Sequence, residues 1–301
     1  MGVFSNYIKH TLSSSNSLLS ALVIVNVVIF IALRVIALVA WLFNYDAMSL
    51  LDFVAVSSSW RMELFTPWTT LTYMFVHYDL WHILFNMLWL WWMGQIFLEY
   101  FYPKHLVALY IYGGIAGALL YLMAYAVFPA FAFSHAILIG ASASVMAIVV
   151  AVALRAPAYP IRLMFLGEVS LKWIAIITIA ISLLSINSSN AGGNIAHIGG
   201  AIIGAVFALA YKNGTDITQP LNSIIDWMVN LFKQFQGQKG NSSKAKERRY
   251  TYASSTTTSR ATSQDEDELN EILDKIKRSG YSALSEDEKK RLFMVSKRVK
   301  R

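Results

Sequence analysis

Six stretches of this chain are apolar enough to be candidates for crossing a hydrocarbon layer about 30 Å thick, at about 1.5 Å of helical rise per residue. They fall at 18–43, 80–98, 106–128, 138–154, 173–184 (extended to about 186) and 194–211, the fifth being the shortest. With 56% hydrophobic and only 14% charged residues, the chain has too little polar surface to cover a globule in water. The expected fold class is therefore all-α, a polytopic membrane protein with six transmembrane helices. There are no cysteines, so disulfides, cysteine-ligated metals and thiol nucleophiles are excluded. Serine becomes the nucleophile type to look for.

The first run follows Lys9 and His10, as a signal peptide would, but it is longer than a signal core and lacks a small-residue cleavage site. It reads as a retained membrane helix. Asn6 stands where a myristoylation signal needs Ser or Thr. Lys9, Lys104, Arg155, Arg162, Lys172 and Lys212 share one side if residues 1–16 are cytoplasmic, whereas Arg61 is the sole Lys or Arg in the opposite connections. The positive-inside rule then places both termini in the cytoplasm. Arg34, inside the first run, is expected to snorkel or find a structural partner.

Beyond Tyr211 the composition changes and basic residues accumulate. The expected organisation is a membrane domain over 17–211, an amphipathic juxtamembrane segment at 212–235, a Ser/Thr/Lys-rich disordered linker at 236–264 and a helical hairpin tail at 265–301. In the tail, Ser263 with Glu266 and Ser285 with Glu288 make two S-x-x-E capping patterns, with Gly280 as a stop between the helices. So small a hairpin builds little core of its own, which suggests docking to a protein partner or to the membrane domain; a solvated tail with weak helicity is the plainer alternative. Lys244, Lys246, Arg248 and Arg249 suit anionic lipid better than nucleic acid, given the neighbouring membrane.

The informative residues are the few polar ones within the runs, which are tolerated where they line a cavity or act. His82 and Asn86 lie in WHILFNMLWLWW, Ser142 in IGASASVMAIVV and His197 in GGNIAHIGGAIIGA. Helical rise puts Ser142 about 20 Å from the cytoplasmic face, His197 about 22 Å, and Asn86 and His82 about 20 and 25 Å, so all four share one layer some 5–10 Å below the outer surface. His82 and Asn86 are at i and i+4, on one helix face. Ala196, Gly200 and Gly204 form a small-xxx-small stripe, and Gly140, Ala141 and Ala143 surround the serine, so the fourth and sixth runs can pack closely enough for Ser142 to meet His197. Gly140 also permits the backbone needed to start a helix partway into the membrane, exposing the Ser142 amide to an incoming carbonyl oxygen. Taken singly, each residue has a plainer role as a packing or helix–helix hydrogen-bonding group. The combination at a common depth is what points to chemistry.

HILFN, Gly-Ala-Ser and AHIGGAIIG, in that order between about Pro67 and Tyr211, resemble the rhomboid family of intramembrane serine proteases. The tail hairpin and the LEY and GASAS wording resemble its Bacteroidetes branch. The resemblance implies a Ser142–His197 dyad, an oxyanion hole of His82, Asn86 and the Ser142 amide, transmembrane proteins and the lipid bilayer as partners, no cofactor, and a bacterial inner membrane. Two departures are visible. Ala143 stands where the family has the second glycine of Gly-x-Ser-Gly, and Trp68-Thr69 stands in place of its Trp-Arg pair, with Trp60-Arg61 a few residues earlier as a displaced candidate. Ser144 is a rival nucleophile that spacing from Gly140 disfavours, and Phe131, Phe133 and the fifth run are candidates for a gate. Two other readings compete: a catalytically inactive relative that binds membrane clients, and a transporter, which would favour inverted repeats or ionisable residues at the midplane.

Overall fold

A computed structural model describes residues 17–45, 48–163 and 167–227, together with Lys275, Ser285 and 287–289. Its long helices are α1 (Ser17–Leu42), α2 (Leu80–Tyr100), α3 (Pro103–Val127), α4 (Ser142–Arg155), α5 (Leu171–Leu184) and α6 (Ala191–Lys212). Three of them, at Leu18–Leu42, Pro103–Val127 and Ala191–Lys212, are long and apolar enough to cross a membrane. α2 is also 21 residues long but carries the polar His82, Asn86, Gln95 and Glu99, and α4 and α5 have 14 residues each, about 21 Å of rise.

The fold is mostly helical, but two short antiparallel ladders accompany the helices: β1 (Val56–Ser57) with β2 (Ile137–Leu138), and β3 (Pro160–Leu163) with β4 (Gly167–Ser170). Two to four residues are too few to show a strand period in sequence. The ladders form because connections between helices must still pair their backbone groups. Within the fourth apolar run, residue 138 belongs to β2 and helix begins only at Ser142, after Gly140 at φ +114°, the interrupted start that Gly140 was expected to permit.

α4 is the centre of the bundle, with every residue from Ala143 to Ala153 buried. Lipid tails are as apolar as the side chains, so helices gain little by leaving lipid and must associate through close packing. The small residues serve that need. A Cβ added at Gly200 would lie 2.0 Å from the Ala143 carbonyl oxygen, and one at Gly204 2.3 Å from that of Ala147. Both contacts advance by four residues, so α4 and α6 run parallel and in step. α3 enters antiparallel: Gly113 meets Ala147, Gly117 meets Ala143, and Gly199 of α6 meets the Ala116 carbonyl.

α1 is mostly exposed, and Arg34 on it places its guanidinium 5.3 Å from the Phe30 ring. Its polar anchor is Asn26, fully buried and hydrogen-bonded to the Tyr110 hydroxyl on α3, which also donates to the Met74 carbonyl at 2.9 Å. At the other end, His105 of α3 meets Asp216 at 3.2 Å, just beyond α6. Of the amphipathic segment expected at 212–235, residues 219–227 are helical with Ile224 and Trp227 exposed, and 228–235 lie outside the described residues.

By contact the chain divides into two units, Met1–Lys239 and Gly240–Arg301. In the second unit, the Ser285 amide donates to Glu288 at 2.7 Å and the Glu288 amide to the Ser285 hydroxyl at 3.3 Å, the reciprocal capping box expected of S-x-x-E. Lys275 reaches the same carboxylate at 2.8 Å. The linker at 236–264, the Ser263–Glu266 pattern and the Gly280 stop lie outside the described residues.

Because the atom facing Gly200 is a backbone oxygen rather than a flexible side-chain end, Gly200→Ala forces the helices apart. The expected loss is about 1–3 kcal/mol, the usual range for overpacking, read as a lower Tm in detergent. Gly94→Ala, whose added methyl would press only on the tip of Leu19, is the milder control.

Candidate active site

α2 positions two of the expected residues. Asp79 caps the helix by accepting from the His82 amide at 2.8 Å, which fixes His82 in the first turn. The Tyr78 amide donates to His82 Nδ1 at 3.4 Å, so Nδ1 accepts and the ring proton sits on Nε2. That nitrogen faces Gly140, where an added Cβ would lie 2.6 Å from it. One turn on, Asn86 donates one amide proton to the His82 carbonyl at 2.8 Å and keeps the second for another partner.

The segment before Ser142 is held on several sides. β2 pairs with β1, the Gly140 amide donates to the Tyr73 carbonyl at 3.0 Å, and the Ala141 amide donates to His77 Nε2 at 3.4 Å. Ala141 at the cap position supplies no side-chain acceptor, so the first amides of α4 are left unpaired by the helix. Sequence reasoning missed His77, whose only signal was its place five residues before His82.

α6 brings His197. On the register set by Gly200 and Gly204, Ser142 is level with Gly199, about 3 Å along the axis from His197. Ser142, His197 and Asn86 line one recess of about 230 Å³, together with Thr178 and the apolar Phe85, Trp89, Val145, Met146 and Val149. Ser142 and His197 are both partly exposed, and among the described residues their side chains share no hydrogen bond with each other. His197 Nδ1 instead meets the hydroxyl of Ser182 on α5 at 3.1 Å. Thr178 and Ser182 were not singled out from sequence, since Ser and Thr in an apolar helix usually back-bond to the preceding turn. Ser144 turns the other way, fully buried with its hydroxyl 3.9 Å from the Met74 sulfur.

The Trp68-Thr69 departure has a local account. Thr69, in place of the family's arginine, sets its buried hydroxyl against the Glu63 carboxylate, which also accepts from the Ser57 amide at 3.3 Å. Arg61 lies on the exposed side, its guanidinium 5.6 Å from the Trp60 ring, and does not replace that tie. Phe133 is almost fully exposed, whereas Phe131 stacks on Tyr125 with ring centroids 4.5 Å apart.

The Rhomboid domain family model matches residues 65–213, a span that contains His77, His82, Asn86, Ser142, Ser182 and His197. The chain belongs to the rhomboid family. A second model, described as a family of unknown function (DUF6576), matches residues 258–298. Comparison with curated proteins gave no match.

Gly140 is doubly constrained, because its φ lies in the left-handed region and its missing Cβ leaves room for His82. Gly140→Ala is expected to cost about 1–3 kcal/mol of backbone strain and to displace the His82 ring. A lowered Tm together with a changed His82 imidazole NMR signal checks it; an unchanged His82 signal contradicts it.

Proposed function

We propose that this rhomboid domain is an integral membrane serine endopeptidase that cuts transmembrane segments of other membrane proteins, with Ser142 as nucleophile and His197 as general base. The observation that carries the reading is that Ser142, His197 and Asn86, from three helices, line one recess beside a His82 N–H aimed at Gly140. His197 takes the Ser142 proton as the oxygen attacks the scissile carbonyl. The imidazolium then protonates the leaving amine, and water hydrolyses the acyl-enzyme. Charge on the carbonyl oxygen is met by His82 Nε2–H, the second Asn86 N–H and the Ser142 amide. The missing Ser142–His197 hydrogen bond is compatible with this role, since such bonds commonly tighten only with substrate bound.

The apolar walls suit a substrate of the same character, a single-span helix that unwinds near its outer end and so frees its peptide carbonyls. The proposal includes six spans with both termini cytoplasmic, and a bacterial inner membrane as the location. It invokes no metal or organic cofactor. The tail, too small for much core, is proposed to dock a protein partner.

A fluorophosphonate probe on the purified full-length chain tests the site directly. Labelling is expected in the wild type and is lost in Ser142→Ala and His197→Ala; labelling that persists in Ser142→Ala defeats the assignment. A wild type that does not react would favour an inactive client-binding relative, whose supporting feature is Ala143. Asn86→Ala and His82→Ala should each lower kcat on a tethered transmembrane peptide by about 10²–10³, the usual effect of losing one oxyanion donor.

A further inference from the structure

Ser182 is a buried hydroxyl on α5 at 3% exposure, with two polar neighbours. Its oxygen lies 3.0 Å from the Thr178 carbonyl oxygen and 3.1 Å from His197 Nδ1. A hydroxyl has one proton to give and two lone pairs. The carbonyl can only accept, so when the proton goes to Thr178, the contact with the imidazole is left with the hydroxyl as acceptor and Nδ1–H as donor. A neutral imidazole protonated on Nδ1 is bare on Nε2. That is the tautomer a histidine needs to take a proton from a serine through Nε2.

We infer that Ser182 is a positioning residue for the proposed reaction: bonded back to its own helix, it holds His197 in the Nδ1–H tautomer and orients the ring so that Nε2 faces the recess. The inference rests on His197 being the general base. It makes the Thr178 carbonyl the anchor of a relay, Thr178 C=O to Ser182 O–H to His197 Nδ1–H, in which a neutral hydroxyl does the orienting that a carboxylate does in a Ser-His-Asp triad. Thr178 itself back-bonds to Ile174 and Ala175 at 2.9 and 3.0 Å, so that this turn of α5 is held from below. In Ser182→Ala the Nδ1–H loses its acceptor inside the bundle, and the opposite tautomer, useless as a base toward Ser142, gains population.

The test uses the full-length chain in detergent or bilayer, labelled with 15N-histidine, with the His197 signals assigned by their loss in His197→Gln. In the wild type, Nδ1 is expected to read as protonated and Nε2 as bare. In Ser182→Ala the two nitrogens move toward the reverse pattern, and kcat on a tethered transmembrane peptide falls about tenfold to a hundredfold with KM little changed, a part of the 10²–10⁴ that general-base catalysis supplies. Ser182→Thr keeps the hydroxyl and is expected to recover most of kcat and the wild-type 15N pattern. A wild-type Nδ1 that reads as bare overturns the inference without any variant, which keeps the test decisive if Ser182→Ala does not fold. Unchanged kcat and tautomer in a folded Ser182→Ala overturn it while leaving the protease reading intact. A wild type that neither labels with fluorophosphonate nor cleaves overturns the protease reading itself, and this inference with it.

Discussion

The close approach of α4 to α6 fixes the arrangement of the site. In lipid, helices gain little by hiding apolar surface from an apolar solvent, so contact distance must supply what the hydrophobic effect supplies in water. Here the distance is set by two missing Cβ atoms, at Gly200 and Gly204, each of which admits a backbone carbonyl of α4. The same spacing that lets the helices touch also sets their register, and the register puts Ser142 and His197 at nearly one level. Packing and chemistry are thus decided by the same pairs of residues, with α3 closing the third side through Gly113 and Gly117.

The polar groups inside the bundle divide into two sets. Most are tied: Asn26 to Tyr110, Tyr73 to the Gly114 carbonyl, Asn194 to the Ser185 carbonyl, and Ser182 to Thr178 and His197. These bonds offset the cost of placing polar atoms where water cannot solvate them. The second set lines the recess: Ser142, His197 and Asn86, whose second amide proton is not used by the His82 carbonyl. On the proposed reading these are a nucleophile, a base and a donor, gathered in one place. A structural role alone gives no reason to gather them. Outside the two sets, among the described residues, the Ser20 hydroxyl and Nδ1 of His77 and of His105 are also buried without a partner.

Much of this was legible in the sequence because membrane segments carry strong one-dimensional signals. The long helices fall within a few residues of the apolar runs, and the glycine stripe of α6 announced a close contact before its partner was known. The isolated Ser142, Asn86 and His197 were conspicuous against their background. The less legible features depend on residues far apart in the chain. Ladder β1–β2 joins positions about eighty residues apart through two pairs, too short for any period. His77 matters because it meets the Ala141 amide, and Ser182 because it meets His197. Neither can be told in sequence from an ordinary loop histidine or a back-bonding serine. The Glu63–Thr69 tie was hidden in the same way, since nothing local tells a buried glutamate from a solvated one.

The late start of α4 links these observations. At about 21 Å it is too short to cross a layer of about 30 Å, so on the six-span reading its first residue lies well inside the outer surface, and the segment leading to it must also lie inside. Irregular backbone at that depth survives only where protein satisfies its amides and carbonyls. The pairing of β2 with β1, the Gly140 amide on the Tyr73 carbonyl and the Ala141 amide on His77 do this for the descending segment. The amides after them, at the start of α4, have no such partner within the helix, and Ser142, the first of these residues, lines the recess. A full-length helix would have paired them, and would have moved its N-terminus out to the surface, away from the apolar walls that suit a transmembrane substrate. On that six-span reading the interruption accounts for both the shallow depth of the serine and the availability of its amide.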